Sequence, residues 1–114
     1  MHDEIQWLTN PFLVAEVARL KDEIKYQHEQ IMYQYDQIQY HDGRINELSQ
    51  QLNEILGEGR TLEPFEVDGV DRIKEEINWR HDQALYHHDR IAYHEDQMKR
   101  KQQRRDAIWG EAQD

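Results

Sequence analysis

Residues 24–45 read IKYQHEQIMYQYDQIQYHDGRI, and residues 77–98 read INWRHDQALYHHDRIAYHEDQM. In the first stretch isoleucine returns every seventh residue, at Ile24, Ile31, Ile38 and Ile45, and Leu52 continues the series. In the second the same places hold Ile77, Ala84, Ile91 and Met98. A seven-residue apolar period marks helices that supercoil around one another. With heptad positions lettered a to g and the isoleucines at a, an aromatic residue stands at every c: Tyr26, Tyr33 and Tyr40, then Trp79, Tyr86 and Tyr93.

The two stretches are copies. A shift of 53 positions aligns 11–58 with 64–111 without a gap, and 19 of the 48 pairs are identical. They include Pro11/Pro64, Phe12/Phe65, Arg19/Arg72, Tyr33/Tyr86, Ile38/Ile91 and His41/His94. An internal repeat governs how the rest of a chain is read. Here each unit is one long helix with a Pro-Phe leader and a glycine stop.

Outward from the repeats, residues 1–10 form a leader in which Trp7 and Leu8 can pack back on the body. Repeat 1 occupies 11–58, and the linker with repeat 2 fills 59–114, within a single domain. Asn10-Pro11 reads as an N-cap followed by proline at the first helical position. Gly57 is expected to end this helix in a left-handed cap, and Gly43 to kink it. Asp68 or Asp71 is the expected cap of the second helix, with Gly110 as its stop. The fold class is therefore all-α: two long antiparallel helices, a tandem-duplicated, coiled-coil-like hairpin that assembles into a helical bundle. A register in which residue i faces a residue near 122 minus i brings together Ile24/Met98, Ile31/Ile91, Ile38/Ala84, Ile45/Ile77 and Leu52/Val70.

Composition narrows the function classes. The 114 residues are 33% charged, carry a formal charge of -10 and contain no cysteine; mean hydropathy is -1.14. Disulfides and thiolate metal sites are excluded. A chain this polar gains most by burying surface against another copy. No run has transmembrane length and the first residues lack a signal peptide's pattern, so no membrane association is expected and the setting is cytoplasmic, or intracellular in a host for a viral accessory protein. No phosphate loop, nucleophile elbow or cofactor motif occurs, and the single serine, Ser49, lies in a glutamine-rich helical stretch. The chain reads as a non-enzyme with no cofactor.

Three sets of residues are candidates for function. The first is an interface made of Ile24, Ile31, Ile38, Ile45, Ile77 and Ile91 on one face and Tyr26, Tyr33, Tyr40, Trp79, Tyr86 and Tyr93 about 200° away. One stripe serves the hairpin seam and the other a further chain, the plainer reading being that the tyrosines line a half-wet face. The second set is histidine. His28, His41, His81 and His94 are the metal candidates, since the register places His28 opposite His94 and His41 opposite His81. No Glu-x-x-His or His-Glu-x-x-His pattern supports a metal, and histidines serving as polar hydrogen-bonders in the core are the simpler reading. The third is the run Lys99, Arg100, Lys101, Arg104 and Arg105, an anion-binding candidate. It lacks interleaved aromatics, which disfavours nucleic acid as a partner without removing it, and in the hairpin it would lie beside Glu16, Asp22 and Glu23.

The expected function is a structural or adaptor protein: a self-associating hairpin, a dimer by preference, that docks a protein partner. Two alternatives come from other classes. One is an acidic inhibitor, of a kind a phage can encode, that blocks a nucleic-acid-binding protein with its carboxylate column Glu29, Asp36, Asp82, Asp89 and Asp96. The other is a metal-binding bundle built on histidine and carboxylate.

Overall fold

The computed structural model describes residues 10–57, 59 and 61–113, the side chains of 111–113 excepted. Two helices account for nearly all of them: α1 at Pro11–Leu56 and α2 at Pro64–Gln113. Together they form an all-α helical hairpin. The expected packing of Trp7 and Leu8 lies outside the described residues.

Both helices begin at the proline of their repeat, with different caps. Asn10 Oδ1 accepts hydrogen bonds from the backbone N–H groups of Phe12, at 3.0 Å, and Leu13, at 3.3 Å. This satisfies two of the four donors that a helix start leaves unpaired. Fifty-three residues on, Glu63 precedes Pro64, and its N–H donates to the Glu66 carboxylate at 3.1 Å while its carbonyl accepts from Glu66 N and Val67 N. The start of α2 at Pro64 corrects the expected cap at Asp68 or Asp71: the proline-led start is duplicated along with the rest of the repeat.

The helix ends also differ from expectation. Gly57 N donates to the Asn53 carbonyl at 2.7 Å, and among the described residues the one with positive φ is Gly59, at 65°. Gly57 thus extends the last turn of α1 instead of reversing it. Its missing side chain still matters, because a Cβ there would sit 2.6 Å from the Asn53 carbonyl oxygen. Gly110 does not stop α2, which continues to Gln113, and α1 runs without interruption through Gly43.

The chain parts into two compact units, and each unit takes a segment from both helices. One comprises the part of α1 up to Tyr33 and the part of α2 from Arg90 onward; the other is Gln34–Asp89. In the first, Leu20, Ile31, Ile91 and Ile108 are buried; in the second, Ile38, Leu48, Val70 and Ala84. Ile24, Ile45, Ile77 and Met98, also on the a stripe, are half-buried. The remaining buried residues are polar: Gln27 and His94 in the first unit, Gln34, His41 and His87 in the second. All five occupy d, three residues after an a position. The buried a positions are therefore apolar, while the buried d positions are mixed: polar at these five and apolar at Leu20, Leu48 and Ile108.

Gly43 and Gly57 give opposite expectations for the same change. A Cβ on the exposed Gly43 meets nothing within 4 Å, so Gly43→Ala should stabilise the hairpin by about 1 kcal/mol, the helix-propensity difference. Gly57→Ala should destabilise it by more than about 1 kcal/mol, since the new methyl meets backbone. Urea titrations followed by circular dichroism measure both.

Candidate functional site: a polar seam beside an aromatic row

The five buried polar d residues and the half-buried Arg80, also at d, pair across the seam one to one. In the first unit His94 Nδ1 and Gln27 Oε1 lie 2.6 Å apart. In the second, His87 Nδ1 meets Gln34 Oε1, and Arg80 Nη1 meets His41 Nδ1 at 3.1 Å. The residue numbers in each pair add to 121. The expected register was near 122, so the helices face one another within a residue of the reading from isoleucines alone.

That one residue decides the histidines. His94 faces Gln27 and not His28; His41 faces Arg80 and not His81. Both facing-histidine pairs are thereby corrected. His28 and His81 stand at e, about 100° further round the helix than d, and are exposed. His87, which did not figure among the candidates, is buried in their stead. Among the described residues no three histidine, aspartate or glutamate side chains converge as a metal site requires.

The hydrogen bonds assign the neutral tautomers. An amide oxygen only accepts, so Nδ1 carries the proton in His87 and His94. Nε2 of His94 is then free to accept from Arg90 Nη2 at 3.4 Å. Arg80 only donates, so His41 takes its bond on an unprotonated Nδ1. Burial lowers the pKa of all three, and the guanidiniums of Arg80 and Arg90 lower those of His41 and His94 further.

Arg80 links the seam to its surroundings. Its guanidinium lies over the rings of Tyr40, at 5.3 Å, and Trp79, at 5.0 Å, and donates to Glu76 Oε1 at 3.3 Å. Glu76 is also 3.7 Å from Arg44 of α1. The His41 ring stacks on that of His87 at 5.7 Å and meets Trp79 edge to face.

Ion pairs account for much of the basic run. Arg104 holds Glu16 through two hydrogen bonds, at 2.9 and 3.3 Å, and Lys101 holds Glu23 at 3.0 Å. These bonds keep both glutamate pKa values below the usual carboxylate value. Arg100 pairs with Asp96 and Arg105 with Asp106, while Lys99 is exposed. Arg104–Glu16 in the first unit and Arg44–Glu76 in the second join g positions. In an antiparallel pair the g positions share one side of the seam, and c lies next to g on the helical wheel. Within each unit the c aromatics of the two helices therefore flank the d column on that same side. All six are about half exposed, between 50% and 58%. Phe12 and Phe65, also at c, are more exposed still.

No protein-family model, curated protein or solved structure matches the chain. Among the described residues no helix is long and apolar enough to cross a membrane.

The Gln34–His87 pair provides a direct test of the polar seam. Gln34→Leu alone should cost about 1–3 kcal/mol, because it strands a buried N–H. Adding His87→Leu should recover most of that loss, since the doubly apolar layer leaves nothing unsatisfied. A double-mutant cycle by thermal or urea unfolding reads the coupling.

Proposed function

We propose that the chain is a structural or adaptor protein whose hairpin pairs with a second copy through the c-position aromatic row and, so assembled, docks a protein partner. The observation that carries this reading is an imbalance of apolar surface. Among the described residues eight apolar ones are buried, whereas fifteen large hydrophobic ones are exposed, six of them the tyrosines and tryptophan of the c row. Single exposed apolar side chains are ordinary, but rows of them flanked by charge mark interaction surfaces. Aromatic residues also dominate the energy of such surfaces, because each offers a large rigid face at little cost in side-chain entropy.

The row favours a copy of itself as its occupant. Duplication has placed the same residue types on both helices, so each unit offers a similar face from either helix. A face of that kind suits the self-complementary contact of a twofold dimer. The net charge of -10 opposes phosphate backbones and anionic lipid, which leaves a protein surface as the better match.

Tyr33→Ala combined with Tyr86→Ala tests the row, because neither ring holds an arginine of the seam. Light scattering of the full-length chain should give twice the 13.9 kDa chain mass for the parent, and a mass shifted toward one chain for the variant. Helicity should change little. A parent that runs as a single chain at all concentrations would defeat the self-association reading, and a variant that stays dimeric would remove the row as its site.

A further inference from the structure

We propose that the His41–Arg80 layer is an acid-labile lock, which holds the seam of the Gln34–Asp89 unit closed at neutral pH and releases it on mild acidification. This does not depend on which outer surface docks a partner.

The geometry is specific. Neutral His41 offers Arg80 Nη1 an acceptor lone pair at 3.1 Å. Protonation removes that lone pair and sets an imidazolium against a guanidinium inside the seam. Arg80 has little to fall back on, since its Nε is already buried without a hydrogen-bond partner among the described residues. Only the bond to Glu76 would remain of those it makes across its nitrogens.

The neighbours of His41 on both helices determine the direction. On α1, Asp42 adjoins it and favours the charged form, and the Tyr40 ring packs edge-on. On α2 it faces Arg80, the stacked His87 ring and the edge of Trp79. Glu76 is held by Arg80 and lies near Arg44, so its charge is shared between two guanidiniums. Burial, Arg80 and His87 together outweigh Asp42 and hold the pKa below that of free histidine. A folded-state pKa below the unfolded value of about 6.5 means that the unfolded chain takes up the proton first. Stability is then complete above about pH 6.5 and is lost as pH falls toward the folded-state value. His87 and His94 shift the same way and add to the loss. Each unit of depression multiplies the unfolded-to-folded ratio by about ten once pH lies below both values.

The repeat supplies the control. The position equivalent to Arg80 in the first copy is Gln27, which pairs with His94, the equivalent of His41. Arg80→Gln therefore rebuilds the layer in the form the chain already uses elsewhere, with a partner that does not repel an imidazolium. His41→Gln is the complementary change: its amide oxygen still accepts from Arg80 but does not titrate.

The experiment is thermal unfolding of the full-length chain by circular dichroism between pH 7.5 and 5.5, with the His41 ring followed by NMR. The parent should lose midpoint temperature on acidification, and His41 should titrate below its free value. Arg80→Gln should raise the His41 pKa and reduce the acid loss, and His41→Gln should reduce it too. A parent whose midpoint is flat or rises across this window overturns the lock. An Arg80→Gln variant that keeps the full acid loss and an unshifted His41 overturns it as well, whether or not His41→Gln folds.

Discussion

The hairpin depends on hydrogen bonds that cross the seam at d. Isoleucine layers favour association but discriminate poorly between registers, because one isoleucine fits beside any other seven residues away. Buried amides and imidazoles do discriminate. Each satisfied pair contributes only about 1 kcal/mol, but a stranded buried partner costs about 1–3 kcal/mol. Moving α2 by one heptad would part Gln27 from His94, Gln34 from His87 and His41 from Arg80 together. Polar residues in a coiled-coil core commonly fix register at some expense of stability, and the three layers here have the arrangement that such a role requires.

The duplication explains why these layers look alike without being identical. Gln34 and His87 are equivalent positions of the two repeats, and they bond to each other. Gln27–His94 and Arg80–His41 are likewise equivalent layers, one in each unit. The seam thus joins a helix to its own copy. Equivalent positions of the two repeats therefore recur in equivalent layers, and the layers differ where the repeats differ. Arg80 stands where the first repeat has Gln27, and its guanidinium reaches both the Glu76 carboxylate and the aromatic rings of Tyr40 and Trp79.

Much of this was legible in the sequence, because periodicity and helix starts are local signals. The a stripe, the Asn10 cap and the hairpin all follow from spacing, and the isoleucine register lies within one residue of the observed pairs. The d column was harder. Glutamine and histidine count as polar in any reading by hydropathy, and their burial depends on partners 39 to 67 residues away. The signal was nonetheless present: His41, His87 and His94 share the d phase, whereas His28 and His81 do not. The start of α2 could have been found by carrying Asn10-Pro11 forward 53 residues to Glu63-Pro64. Gly57 could not, since a glycine needed for close approach to a carbonyl reads the same as one needed for a left-handed turn.

The divergence of the repeats also bears on how chains can combine. Transferring the observed register to two copies of α1 gives numbers adding to 68, which sets Leu20 against Leu48 and Gln34 against Gln34: an acceptable seam. For two copies of α2 the numbers add to 174. Ile73 then meets Lys101, so an ammonium opposes an aliphatic side chain, while Arg80 meets His94 much as it meets His41 in the hairpin. Only the mixed pairing gives Lys101 and Arg104 the carboxylates of Glu23 and Glu16. Those ion pairs are open to α1 against α2 and not to either helix against its own copy, which favours the hairpin.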